Sequence, residues 1–91
     1  MSTIVIIKLN WSAAIHDTGI RLYNIYQDDL IIGQTTDLTY QINDVDKPKL
    51  LKYYVVALTN SGDYLKSNTV EVQTTVGDGY EVFDYTLDFL L

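Results

Sequence analysis

Residues 51–62 constrain the fold most, because they have the pattern of one long strand with almost no polar surface. Leu51, Tyr53, Val55 and Ala57 fall on one face by the two-residue period of a strand, and Tyr54, Val56 and Leu58 fall on the other. A strand that is apolar on both faces is typical of the middle of a sheet. Asn60, Ser61 and Gly62 end it, since Asn and Gly tolerate the positive φ of a tight turn. We therefore predict a central strand with a neighbour on each edge.

Alternating apolar and polar residues predict further strands around this central one, at residues 4–11, 20–27, 30–34, 36–42 and 68–74. Asp28 and Asp29 predict a hairpin with a two-residue acidic turn, and Gly33 marks a bulge or bend. Residues 12–19, 43–49 and 62–67 are predicted loops. No segment has a convincing helical period, so the pattern indicates an all-β chain folded as an antiparallel sandwich or barrel.

Composition narrows the classes of function. The chain has 91 residues, enough for one domain, and no cysteine, which excludes a disulfide, a zinc–thiolate site and a thiol nucleophile. A net charge of −6 argues against a nucleic-acid partner. No stretch approaches the length of a membrane span, and the apolar run at 4–7 is too short for a signal peptide. We expect no membrane partner and no export by a cleaved signal.

The residues that can carry chemistry do not form a recognisable site. Ser12, His16 and Asp17 are close in sequence, but a catalytic set is defined by geometry. His16 is the only histidine, which disfavours a histidine-based metal site. The acidic pair Asp28 and Asp29 and the segment 44–46 lack the glycine-spaced pattern of a calcium loop. We therefore predict no catalytic residues, no metal, no cofactor and no enzymatic activity.

Four segments together resemble a fibronectin type III domain. Leu9-Asn10-Trp11 is similar to that family's second strand with its buried tryptophan, and Tyr23-Asn24-Ile25-Tyr26 is similar to the third strand. Residues 53–62 resemble the sixth strand and its turn, and residues 67–72 the last strand. The resemblance covers residues 4–75 and implies a fibronectin type III-like sandwich. An immunoglobulin-like sandwich is the more general alternative.

Two features depart from that family's pattern. There is hardly room before Ile4 for the family's first strand, so the sandwich is expected to lack it. The position of the family's tyrosine corner holds Leu51, and Tyr53 follows two residues later. This chain therefore either lacks the tyrosine corner or forms it with a turn in a different register. Because a buried tyrosine hydroxyl needs a hydrogen-bond partner, Tyr53 or Tyr54 is expected to find one locally.

The C-terminal residues add a second apolar pattern beyond the resembled domain. Residues 76–79 are predicted to form a hinge, which divides the chain into a domain at 1–75 and an extension at 76–91. A helix would also group Phe83, Leu87 and Leu90 on one face. Period-two alternation and the Thr, Tyr and Phe content favour a strand, whose apolar face consists of Phe83, Tyr85, Leu87, Phe89 and Leu91. Such a strand either folds back onto the edge left open by the missing first strand or reaches a neighbouring molecule. In the second case these five side chains are the partner-binding residues.

The pattern as a whole indicates a protein that works by binding. Small fibronectin-like or immunoglobulin-like proteins of this kind resemble accessory components of bacteriophage particles. That resemblance implies a capsid-decoration or connector protein of the virion, made in the host cytoplasm, with capsid subunits, tail subunits or a second copy as its partners. The alternative is an adhesion or carbohydrate-binding module of a larger extracellular protein. Exposed loop aromatics aligned as a platform would favour it. Separately, Tyr23, Tyr26, Tyr64 and Tyr80 either serve the sheet surface or line a contact surface, since tyrosine anchors interfaces.

Overall fold

The computed structural model describes residues 3–43, 50–73 and 79–89. For residues 3–5 and 79–81 it describes the backbone alone. These residues form eight strands: β1 (Thr3–Trp11), β2 (Ile20–Gln27), β3 (Leu30–Thr35), β4 (Thr39–Ile42), β5 (Leu50–Thr59), β6 (Tyr64–Lys66), β7 (Val70–Gln73) and β8 (Gly79–Leu87). The all-β prediction is confirmed, since the described residues contain no helix. Accordingly, that part of the chain offers no helix suited to crossing a membrane.

The strands form two sheets packed as a sandwich. One sheet has the order β4-β1-β8, and the five-stranded sheet has the order β3-β2-β5-β6, with β7 also paired to β5. Every pair is antiparallel except β1 with β8, which is parallel. β5 has β2 on one edge and β6 and β7 on the other. The predicted central strand is therefore confirmed.

The core lies between the two sheets and follows from the alternation of β1, β2 and β5. Ile7, Leu9 and Trp11 of β1 are buried against the inner residues of the other sheet, which are Tyr23, Ile25, Leu51, Tyr53, Val55, Ala57 and Val72. The rings of Trp11 and Tyr23 lie 5.5 Å apart between centroids. Each fully buried large side chain contributes about 1.5–3 kcal/mol, so this layer accounts for most of the favourable burial.

The C-terminal strand folds back within the same chain. β8 pairs with β1 along its whole length, from Thr3 opposite Gly79 to Trp11 opposite Leu87. The side chain of Leu87 is fully buried, and two hydrogen bonds with Asn68 hold the strand's end: Asp88 N donates to Asn68 Oδ1 over 2.8 Å, and Asn68 N donates to Asp88 O over 3.0 Å. β8 thus covers the edge beside β1. The predicted hinge residues 76–78 lie outside the described residues.

Two strand predictions and one loop prediction differ from the structure. The strand predicted at 36–42 begins only at Thr39, because Leu38 O accepts the Trp11 amide and Thr35 Oγ1 accepts the Asp37 amide, which together form a bend. The strand predicted at 68–74 begins at Val70 and is described to Gln73. The loop predicted at 62–67 contains β6, which is three residues long. A strand this short shows too little alternation to be recognised.

A bulge beside Gly33 confirms the prediction for that residue. Ile25 pairs with Gly33 and Tyr26 pairs with Ile31, so Ile32 has no direct partner on β2. The ring of Tyr40 lies against Gly33, where any Cβ would overlap it. Glycine is therefore required by the close approach of β4. At the preceding turn Asp28 and Asp29 have φ of 49° and 68°, as a two-residue hairpin turn requires.

Candidate binding surface

The hydroxyl, imidazole and carboxylate groups at one end of the sandwich link two loops. His16 Nδ1 accepts the Thr18 amide over 3.2 Å and lies 2.9 Å from Thr18 Oγ1, while His16 Nε2 lies 3.4 Å from Asp63 Oδ2. Asn60 Nδ2 also donates to Thr18 O over 2.8 Å. The imidazole therefore joins the β1–β2 loop to the β5–β6 turn. The described contacts of His16 include neither Ser12 nor Asp17, the two residues that lie close to it in the sequence.

The acidic hairpin turn makes its hydrogen bonds within the protein. Asp28 Oδ1 accepts the Lys52 amide over 3.0 Å, and Asp29 Oδ1 accepts the Tyr54 hydroxyl over 3.1 Å. Among the residues that the structure describes, no group of three or more His, Cys, Asp or Glu side chains comes together to hold a metal ion. The other acidic candidates, at 44–46, lie outside the described residues.

The predicted partner-binding side chains of the tail face the chain's own core. Leu87 is buried, and Phe83, Tyr85 and Phe89 are half-buried and pack against the core. The Phe89 ring centroid lies 5.8 Å from that of Tyr23. Leu91 lies outside the described residues. That any of these side chains also contacts a partner stays a prediction.

The predicted tyrosine surface divides between the two faces of the five-stranded sheet. Tyr23 points into the core, where its hydroxyl oxygen accepts the Ala14 amide over 3.1 Å. Tyr26 and Tyr64 lie on the outer face, and the side chain of Tyr80 lies outside the described part. Tyr54, which sequence reasoning placed in a buried strand, joins Tyr26 and Tyr64 on the outer face. Its alternation with Tyr53 and Val55 shows that it lies on the opposite side of β5 from them, but not which side is buried.

We call this outer surface the tyrosine face. It consists of the outward side chains of four adjacent strands: Leu22, Asn24, Tyr26, Ile31, Gln34, Lys52, Tyr54, Val56, Leu58, Tyr64 and Lys66. Its rows follow the strand register, with Tyr26 opposite Tyr54 and with Leu58 between Leu22 and Tyr64. Lys52 and Lys66 carry the formal charges in this set. The face is therefore largely apolar, with hydroxyl and amide groups in its middle.

A stack of three side chains orders one row of the tyrosine face. The rings of Tyr26 and Tyr54 are nearly parallel, at 5° and 4.9 Å between centroids. Lys66 Nζ lies 4.3 Å from the centroid of Tyr54, in a cation–π contact. Burial, followed by the hydrogen bond to Asp29, raises the pKa of the Tyr54 hydroxyl. The Tyr54 phenol therefore stays neutral at physiological pH, and the row presents ring edges and hydroxyl groups.

The outer rows of the face are open to solvent. Tyr64 keeps 66% of its surface exposed on β6, and Ile31 is exposed on the opposite side. Contiguous exposed apolar surface is characteristic of interaction sites. Tyrosine offers an apolar ring and a hydrogen-bonding hydroxyl together, so it suits ligands that are themselves amphipathic.

Asn24 is the polar group at the centre of the face. It keeps only 7% of its surface, and its Oδ1 is buried without a hydrogen-bond partner. Leaving such an acceptor unpaired costs about 1–3 kcal/mol. Sequence reasoning placed Asn24 on the same face as Leu22 and Tyr26 but gave it no role. The signal available in the sequence was an asparagine on the same strand face as two apolar neighbours, Leu22 and Tyr26.

The comparisons with known proteins identify relatives of this sequence. It is 38% identical to Chitinase 63 of Streptomyces plicatus over 77 residues, which are 82% of this chain. It is 30% identical to Chitinase C of Streptomyces lividans over 73 residues, which are 80% of this chain. The matched region spans only 12% of the length of each chitinase. No family model and no solved structure matches the chain.

These relatives show that the interpretation as a bacteriophage virion protein is wrong. The regions that match belong to two chitinases, and most of this chain aligns with them. The interpretation as a capsid-decoration or connector protein relied on fold-level analogy, and a sandwich fold serves many unrelated functions. The comparison favours the alternative, a module that occurs within larger proteins.

Proposed function

We propose that the chain is a non-catalytic accessory domain of the fibronectin type III kind, in an extracellular protein that acts on a polysaccharide. Its role there is to bind the polymer through the tyrosine face. The observation that carries this proposal is the 38% identity over 77 residues to a region that makes up 12% of Chitinase 63. The matched region is a small part of the enzyme, and this chain folds as a β-sandwich. Both features fit an accessory domain better than a catalytic one.

The placement of the acidic residues supports the non-catalytic part of the proposal. Glycoside hydrolysis uses two carboxyl groups flanking the scissile bond, one of them kept protonated by its surroundings. The carboxylates whose side chains are described are all exposed, on turns and strand surfaces: Asp17, Asp28, Asp29, Asp37, Asp63, Glu71, Asp84 and Asp88. Asp28 and Asp29 are also engaged by Lys52 and Tyr54.

The chemistry of the tyrosine face supports the binding part. A pyranose ring has apolar C–H surfaces and a rim of hydroxyl groups, which matches a surface of tyrosine rings and uncharged polar groups. A neutral polysaccharide is not repelled by the chain's net charge of −6. That same charge disfavours a phosphate-bearing ligand and a second copy of this chain on this face.

A second candidate role is that of a spacer between other domains. Because β1 and β8 run parallel, Thr3 and Gly79 lie at one end of the sandwich and Trp11 and Leu87 lie at the other. Eight strand steps at about 3.3 Å separate the two ends by about 26 Å. A neighbouring domain before β1 and one after β8 would be held apart by this length.

Sedimentation with insoluble polysaccharide tests the proposal. The full chain is mixed with chitin or cellulose powder, and the unbound fraction is measured. We expect the wild-type chain to sediment with chitin and Tyr64→Ala to lose most of this binding, since Tyr64 is 66% exposed on the face. Ile15→Ala is the matched control, because Ile15 is 73% exposed but lies in the β1–β2 loop.

Two results would overturn the binding role. If the wild-type chain stays in solution with both powders, it does not bind polysaccharide, and the spacer role is the one that remains. If Tyr64→Ala and Ile15→Ala both sediment like the wild type, the tyrosine face is not the binding surface.

A further inference from the structure

We infer that Asn24 makes the tyrosine face selective for a polysaccharide of N-acetylated amino sugars. This inference rests on the proposed function, since it names the substrate class of that same face. The observation behind it is the buried Oδ1 of Asn24, which has no hydrogen-bond partner among the described residues. A buried acceptor that the protein leaves unpaired is available to a donor from a ligand.

The register places apolar groups around this amide. Along β2, Asn24 lies between the outward residues Leu22 and Tyr26. Across the sheet, Val56 of β5 lies directly opposite it on one side, and Gln34 of β3 on the other. Directly opposed Cβ atoms in antiparallel strands lie about 4.5–5.5 Å apart, so these neighbours border the amide closely.

An acetamido group fits this combination of a free acceptor and apolar neighbours. Its N–H can donate to Oδ1 of Asn24, and its methyl group can lie against Val56 and Leu22. A glucose unit offers a hydroxyl donor but no methyl group, so it gains less from the apolar neighbours. A free amino sugar carries an ammonium charge, which loses hydration in apolar surroundings. The acetylated sugar is therefore the preferred ligand among the three.

Because Oδ1 is buried, a ligand reaches it only after side chains move. Gln34 is exposed, so its side chain can swing towards solvent without disturbing the core. The terminal torsion of asparagine is broad, which allows the amide to turn towards the surface. The strand itself is held by its pairing on both sides, with Gln34 and with Val56, so the backbone at Asn24 stays fixed.

Calorimetric titration of the full chain with two hexasaccharides tests the inference. One is the β-1,4-linked hexamer of N-acetylglucosamine, and the other is the equally long hexamer of glucose. We expect wild type to prefer the acetylated hexamer by about tenfold, which corresponds to about 1.4 kcal/mol. Asn24→Leu, of similar volume and without the amide, should reduce that preference to about twofold or less. Ile15→Ala, in the β1–β2 loop, is the control and should keep the preference.

The outcomes distinguish the inference from the proposal beneath it. If wild type binds both hexamers equally, or if Asn24→Leu keeps the full preference, the selectivity inference is overturned while polysaccharide binding stands. If wild type binds neither hexamer and neither powder, the proposed function fails and the inference with it.

A measurement on the wild-type chain alone keeps the test decisive if Asn24→Leu does not fold. In ¹⁵N spectra the side-chain amide signals of Asn24 should shift with the acetylated hexamer and much less with the glucose hexamer. Unchanged Asn24 signals at saturating acetylated hexamer would overturn the inference.

Discussion

Tyr53 shows how a single buried hydroxyl is accommodated in the core. Its side chain has no exposed surface, and its hydroxyl donates to Gln27 Oε1 over 2.7 Å. The sequence predicted that Tyr53 or Tyr54 finds a partner, and both do. The partners are Gln27 and Asp29, 26 and 25 residues away, and not local ones. Alternation shows that a hydroxyl is buried, but only strand pairing decides which side chain it meets.

The pKa of Tyr53 predicts a loss of stability at high pH. Burial, followed by the nearby charge of Asp28, raises this pKa from 10.0 to about 12. A group whose folded-state pKa is raised contributes its full stability below its unfolded pKa and loses it as pH rises through the folded one. We predict that between pH 10 and pH 12 the wild-type chain loses about 2–3 kcal/mol through this residue. Tyr53→Phe should lack that part of the loss.

Urea unfolding at pH 8, 10, 11 and 12 measures the effect as the difference between the wild-type chain and Tyr53→Phe. Tyr64→Phe is the matched control, since it removes the same hydroxyl group from an exposed side chain. Parallel profiles for the wild type and Tyr53→Phe would show that the buried hydroxyl does not control the alkaline loss.

Gly33 is predicted to be essential for the approach of Tyr40. A Cβ at this position would overlap the Tyr40 ring, so Gly33→Ala should lower the free energy of unfolding by about 1–3 kcal/mol. In a Tyr40→Leu background the same substitution should cost clearly less, because the ring is gone. Equal costs in the two backgrounds, measured by urea unfolding, would contradict the contact as the cause.

At the scale of the element, β8 is predicted to be an integral part of the sandwich. Leu87 is fully buried, so Leu87→Ala should reduce the free energy of unfolding by about 2–5 kcal/mol. Val82 lies on the same strand but is exposed, so Val82→Ala is the matched control and should change stability by less than about 1 kcal/mol. Thermal and urea unfolding of both variants measure the difference. Equal small effects would mean that β8 is not docked in solution.

The strands themselves were largely predictable, and their partners were not. Alternation placed β1, β2, β3, β5 and the C-terminal strand within a few residues of their observed bounds. It left open whether the C-terminal strand pairs within the chain, because a period of two shows which face is apolar and not which edge is hydrogen-bonded. The structure gives it the edge beside β1, with Trp11 opposite Leu87.

The tyrosine face was predictable only in part, for a related reason. Tyr26 and Tyr64 were identified as surface candidates, while Tyr54 and Asn24 were missed. β5 is apolar on both faces, which indicates burial on both sides, yet a two-layer sandwich has one interior. The outward residues of its central strands therefore remain at the surface, and the sequence does not say which face that is. Only the arrangement of the sheets separates Tyr53 from Tyr54.

For the whole molecule, charge predicts how binding responds to salt. The chain carries a net charge of −6, but the proposed ligand is neutral. Screening therefore has no ligand charge to act on, and raising the ionic strength from about 0.05 M to about 0.5 M should change the Kd for the acetylated hexamer by less than about twofold. Titration calorimetry at the two salt concentrations measures this. A large weakening would show that charged groups such as Lys66 carry the binding.

Mapping the ligand on the whole chain tests the central claim most directly. The ¹⁵N-labelled chain is titrated with the N-acetylglucosamine hexamer, and amide shift changes are assigned residue by residue. Our account predicts that the largest changes fall on the tyrosine face, at Asn24, Tyr26, Tyr54 and Tyr64, while Lys8 and Val82 on the opposite sheet stay unchanged. Changes centred on that opposite sheet, or none at saturating hexamer, would contradict the claim that this face binds polysaccharide.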